Sequence, residues 1–189
     1  MENSKIALLV MDMQSGILNR MPEQSGEITE KIATAIKTAR KKNLLVIFVR
    51  LGFRNGFPEV NANNKMLNAL KENMNDEDLE MFMKIYPYLD VTDNDLIIDK
   101  KRISAFSGND LEMILRAKNI SQLVFTGIAT SGVILSTFYE ALDKDYDLTI
   151  LSDGCADPNK QIHEFLIKNI LPKHSQVITV NEWINKSRL

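Results

Sequence analysis

Short runs of consecutive apolar residues alternate along this chain with longer stretches whose apolar positions recur every three or four residues. The runs lie at residues 6–11, 44–49, from 96 to 98 onward, and at 122–126, 148–151 and 176–180. They are apolar at successive positions instead of alternate ones, the pattern of strands buried on both faces. Between them, Ile28, Ile32, Ala35 and Ile36 follow helical spacing, as do Leu111, Ile114 and Leu115. Val133, Phe138, Ala141 and Leu142 form a third such stretch, and Ile162, Phe165, Leu166 and Ile170 a fourth. Asn109 with Glu112 predicts a capping box at the start of the second. Strand–helix–strand alternation predicts an α/β fold, a mostly parallel sheet with helices on both faces. Residues 52–94 are the least regular part, and their Gly-Phe-Arg-Asn-Gly-Phe-Pro run reads equally as a cover over one end of the sheet or as a linker. Met66, Met74, Met81 and Met83 are suited to line an adaptable surface or lid, although their irregular spacing favours ordinary packing residues.

Composition narrows the class. A chain of 189 residues with 44% apolar and 25% charged residues is that of an ordinary globular protein, expected as one domain over 1–189. The net charge is −2, so there is no basic excess of the kind an electrostatic nucleic-acid binder carries. The early apolar run is too short to cross a bilayer or to form a signal core, which points to a soluble, cytoplasmic protein. The single cysteine, Cys155, excludes an internal disulfide and a Cys-rich zinc site.

In parallel sheets of this kind ligands sit beyond the carboxyl ends of the strands, near the switch in strand order. The residues there are Asp12, Arg50, Lys100, the segment 127–133 and the segment 153–155. Asp12, leaving a fully apolar strand, is placed to be a partly buried general acid or base, with a turn or capping aspartate as the plainer alternative. Lys100 stands in the same relation to the third strand and is suited to pair with Asp12, orient it and stabilise an oxyanion. The Thr126-Gly-Ile-Ala-Thr-Ser-Gly-Val133 segment runs from a strand through a glycine-bearing turn into a helix, offering N–H donors from Ala129, Thr130, Gly132 and Val133 to an oxyanion. No phosphate loop or dinucleotide fingerprint occurs. Ser131 reads as a cap, and His163 and His174 as helix-face or turn residues.

Four motifs in order, Leu8-Leu-Val-Met-Asp12-Met-Gln14, Lys100-Lys-Arg-Ile-Ser-Ala-Phe106, Thr126-Gly-Ile-Ala-Thr130 and Leu151-Ser-Asp-Gly-Cys-Ala156, resemble the isochorismatase-like (cysteine hydrolase) family. That resemblance implies a Rossmann-like three-layer α/β/α sandwich with a six-stranded parallel sheet, assembled as a homodimer or higher homo-oligomer. It implies catalytic roles for Asp12 and Lys100, with Lys101 as the alternative if the register slips by one. It also implies a nucleophilic Cys at the position of Val133, so this chain lacks the thiol that covalent amide hydrolysis requires. Where nicotinamidase-like members carry metal ligands after the second strand, this chain has Arg50-Leu-Gly-Phe-Arg54, and neither a metal nor another cofactor is expected. Cys155 is at the right sheet edge but reads as a small buried hydrophobe. Gln14, Arg50, Phe106 and Cys155 are further candidates for contacting substrate.

One branch of the resembled family hydrolyses an enol ether and needs an acid but no thiol. The reading is therefore a hydrolase of a small anionic metabolite, with Asp12 as acid/base and Lys100 as its partner. The alternatives are an inactive relative that binds a metabolite or a partner chain, and a structural role in which residues 161–171 form an interface. No nucleic-acid or membrane partner is expected.

Overall fold

The computed structural model describes residues 5–186. Six strands form one sheet: β1 (Ile6–Met11), β2 (Leu45–Leu51), β3 (Leu96–Lys100), β4 (Gln122–Ile128), β5 (Asp147–Ala156) and β6 (Gln176–Ile178). All adjacent pairs are parallel, in the order β3-β2-β1-β4-β5-β6. This is the doubly wound order, and its direction reverses between β1 and β4. The helices are α1 (Ser15–Leu18), α2 (Pro22–Lys41), α3 (Lys65–Glu72), α4 (Asp76–Met83), α5 (Leu111–Ala117), α6 (Leu135–Asp143), α7 (Lys160–Phe165) and α8 (Val180–Lys186).

The continuous apolar runs have the cause the pattern predicts. Ala7, Leu9 and Met11 of β1 enter one core with Leu111, Leu115, Phe138 and Ala141 of α5 and α6. Leu8 and Val10 enter the other core with Ile28, Ile32, Ala35 and Ile36 of α2 and Trp183 of α8. The strands differ from the sequence reading at several ends: β2 runs on through Arg50 to Leu51, β4 to Ile128, and β5 to Ala156, so that 153–155 lie inside the strand and not beyond it. The last strand stops at Ile178, because the side chains of Thr179 and Glu182 close a reciprocal cap that opens α8 at Val180. Asn109 forms no capping box; its Oδ1 accepts the N–H of Leu111, two residues on, at 2.9 Å.

Residues 52–94 cover the carboxyl end of the sheet. Phe53 and Phe57 are buried with Leu51, Leu67, Leu79 and Phe82 in a third apolar cluster, apart from the two sheet cores. The cover, not the linker, is the observed role of the Gly52-to-Pro58 run.

Gly127 sits where β1 and β4 end side by side. Its φ is +131°, and a Cβ there would lie 2.0 Å from the Met11 carbonyl oxygen. Gly127→Ala is expected to lower the unfolding free energy by about 3 kcal/mol, read from the urea midpoint, since the added methyl meets backbone that cannot yield. An unchanged midpoint would show that the strand ends separate easily.

Candidate active site

Asp12 directly follows β1, in a left-handed conformation (φ 55°), and its N–H donates to the Val49 carbonyl of β2 at 2.8 Å. That kink turns its side chain to the sheet edge, where Lys100 at the end of β3 meets it. Lys100 Nζ stands 2.9 Å from Asp12 Oδ2, and both side chains are buried. Nζ also donates to the carbonyls of Arg102 and Ile103, each at 3.0 Å. All three ammonium hydrogens are therefore engaged, and Lys100 has none left over for a substrate. Of the two lysines the sequence left open, Lys101 turns away and donates to the Gly52 carbonyl at 2.7 Å.

Asp12 Oδ1 is buried without a hydrogen-bond partner among the described residues. Burial pushes the Asp12 carboxyl up to about 6, partly offset by the charge and hydrogen bond of Lys100. The group thus titrates close to neutrality, where a general acid or base is most effective.

Asp12 and Lys100 line a cavity of about 700 Å³. Its other walls come from Ile17, Arg20 and Met21 near α1, from Met66, Leu67, Ala69 and Leu70 of α3, and from Asn73 and Met74. Arg102, Ile103, Ile128, Ala129, Gly132, Val133 and Pro158 complete it with Leu51 and Phe82. The volume is that of a site for a small organic molecule.

The turn that follows β4, Thr130–Ile134, is pinned from behind. Ser131 donates to Asp157 Oδ2 through both its N–H (2.8 Å) and its hydroxyl (2.6 Å). Thr130 Oγ1 and His163 Nδ1 are hydrogen-bonded at 2.8 Å. The N–H groups of Gly132 and Ile134 both go to the Ala129 carbonyl. Donors of Ser131, Gly132 and Ile134 are thus spent inside the turn, and the wall it presents to the cavity is Ala129, Gly132 and Val133.

Several sequence candidates lie elsewhere. The Gln14 amide is an internal strut: Nε2 donates to the carbonyls of Leu51 (3.0 Å) and Phe82 (3.2 Å), and Oε1 accepts the Leu51 N–H at 2.8 Å. Arg50 is held by Asp99, Nε to Oδ1 at 2.5 Å. Phe106 stacks on Tyr146 with ring centroids 6.2 Å apart. Cys155 is buried in the core with Sγ 3.8 Å from the Phe125 carbonyl oxygen, and burial pushes its thiol far above the ordinary range. Such a thiol is protonated and inert. None of these four lines the cavity, nor does Thr130.

The sequence reading did not single out Arg20 and Arg102 as wall residues, yet both line the cavity; Met66 and Met74 line it too, as the adaptable-surface alternative to packing has it. Arg102 carried a signal, its place two residues beyond Lys100; Arg20 and the methionines carried none that spacing could show. Among the described residues no group of His, Cys, Asp and Glu comes together to hold a metal ion, and no helix is long and apolar enough to cross a membrane.

A sequence model of the isochorismatase domain family matches residues 6–182 of this chain. Isochorismatase family protein YecD of Escherichia coli O157:H7 is 30% identical over 189 residues, spanning 95% of this chain and 94% of that one. Ureidoacrylate amidohydrolase RutB of Stutzerimonas stutzeri is 29% identical, spanning 82% of this chain and 71% of its own length. A solved isochorismatase family structure from Burkholderia thailandensis superposes with a TM-score of 0.80 at 27% identity, covering 94% of this chain and 93% of that one.

Proposed function

We infer, for a chain that belongs to the isochorismatase family of hydrolases, that it hydrolyses a small anionic molecule with Asp12 as the acid/base and no thiol nucleophile. The observation that carries this reading is the buried Asp12–Lys100 pair on the cavity wall, with Asp12 Oδ1 left unpartnered. Val133 stands where the family pattern puts its nucleophilic cysteine, and an isopropyl group cannot attack a carbonyl. The reaction that survives this substitution is protonation followed by attack of water.

For an enol ether, protonated Asp12 gives its proton to the vinyl carbon. The resulting oxocarbenium ion is captured by water, and the hemiketal collapses to a carbonyl compound and an alcohol. The water's surplus proton restores Asp12. Lys100 tunes the carboxyl and fixes its direction. The ureidoacrylate named for the RutB relative is a carboxylate, which supports an anionic substrate here.

The test is a turnover screen by mass spectrometry over enol ethers including isochorismate, ureidoacrylate and other carbamoyl compounds. Enol-ether consumption is expected, with kcat/KM falling as pH rises through about 6, because the acid must enter the reaction protonated. Amide cleavage that increases through the same pH would assign Asp12 the opposite role, a base that activates water. Val133 also favours a second reading, a relative that binds a metabolite without turning it over. Saturable binding with no consumption of ligand would establish that reading.

A further inference from the structure

Among the described residues, two guanidinium groups on the cavity wall have no ion-pair partner. Arg102 follows β3, and its Nη1 donates to the Lys101 carbonyl (2.6 Å) and its Nη2 to the Glu59 carbonyl (3.0 Å). Both acceptors are neutral. They fix the plane of the guanidinium yet use only two of its five N–H donors. Arg20 lies beside the same cavity with its guanidinium carbon 5.9 Å from the centroid of the Phe82 ring, and it is exposed to solvent. Neither arginine forms an ion pair among the described residues. The Asp12 carboxylate does not serve them, because its charge is matched by Lys100 at 2.9 Å.

The cavity therefore holds two positive charges in excess, while the wall away from them is apolar: Ile17, Met66, Leu70, Met74 and Val133. A planar, pre-oriented guanidinium with free N–H groups matches a carboxylate, and an unpaired cation pair raises the local concentration of anions. Lys100 cannot supply this anchor, since its three hydrogens are already placed.

We propose that Arg102, assisted by Arg20 at the rim, is the anion anchor of the cavity, and that its ligand is an organic carboxylate with an apolar body. The identification of that ligand as a substrate rests on the hydrolase reading; its recognition does not. The methionine and leucine side chains of the α3 region take up the apolar part, and the thioethers of Met66 and Met74 adapt to its shape.

The experiment titrates the full chain with hexanoate and, separately, with hexanamide by isothermal calorimetry at neutral pH and low ionic strength. Hexanoate is expected to bind about tenfold more tightly than the amide. Arg102→Gln removes that preference and leaves hexanamide affinity where it was. Arg102→Lys, which keeps the charge, retains a preference for the carboxylate. Arg20→Gln, which disturbs no side-chain hydrogen bond among the described residues, reduces hexanoate affinity about threefold. Equal binding of the two probes, absence of hexanoate binding at millimolar concentration, or a preference that survives both glutamine variants would overturn the proposal. A protein that prefers hexanoate yet consumes nothing in the turnover screen retires the hydrolase reading alone.

Discussion

Asp12→Asn is expected to reduce kcat/KM on any substrate the protein hydrolyses by about a thousandfold, the usual range for loss of a general acid or base. Asparagine has nearly the same shape but can neither release nor hold the proton. Lys100 keeps the Arg102 and Ile103 carbonyls in this variant, so its ammonium is left short of charge compensation but not of hydrogen bonds. The variant folds without a large loss of stability at neutral pH, because its neutral side chain escapes the burial penalty that raises the Asp12 carboxyl. A pH series separates catalysis from stability. With its pKa raised from 3.8 to about 6, Asp12 in the native chain holds a proton that the unfolded chain has already released between those values. Native binds more protons than unfolded there, so Asp12 makes stability fall as pH rises across that window, by about 3 kcal/mol in total. Wild type should therefore lose stability relative to Asp12→Asn from about pH 4 to about pH 6, and show no further relative change above it. Retained activity in Asp12→Asn would remove Asp12 from the reaction, whatever the stability data show.

Lys100→Met is expected to cost more in stability than any other single change at the site, about 3–5 kcal/mol at neutral pH. It strands a buried carboxylate and orphans the two carbonyls that the ammonium joins. Without the lysine the Asp12 carboxyl is held higher still, because Lys100 is what opposes the burial effect. Acidification should therefore return part of the lost stability by neutralising Asp12. The double variant Asp12→Asn, Lys100→Met should be less destabilised than the sum of the two singles, since each alone leaves a charge that the other removes. Urea titrations of the four proteins measure this coupling. Strict additivity would mean that the two charges are solvated independently, contrary to their burial.

The strands were readable because burial on both faces leaves no position for a polar residue, as Ala7 to Met11 show by feeding two cores in alternation. Asp12 was readable because it is the first charged side chain after such a run, and Lys100 because it closes the strand that the 96–98 run begins. Gln14 was not, although it lies beside Asp12. Its role as a strut depends on where Leu51 and Phe82 end up, and nothing local in the chain reveals that. The same holds for Met66 and Met74, which reach the cavity only through the path of residues 52–94 over the sheet, and for Arg20, which meets that segment from just beyond α1. His163 was read as a helix-face or turn residue. The fold brings Thr130 to it from the end of β4, and Asp157 takes Ser131 in the same way. Helix spacing reports which face of an element is buried; it carries no information about loops that cross one another.

The third apolar cluster has a kinetic meaning. Since Phe53, Phe57, Leu67, Leu79 and Phe82 pack on one another and belong to neither sheet core, residues of α3 and α4 have the makings of a separate cooperative unit. Its thermal breathing can proceed while β1 and β4 stay protected from hydrogen exchange, with the Gln14 strut and the backbone hydrogen bonds from Ser15 to Lys84 and from Tyr86 to Met13 limiting how far α4 lifts. A bound molecule is then expected to leave as this roof opens, so that its dissociation rate and the hydrogen exchange of α3 and α4 should change together while β1 and β4 stay protected.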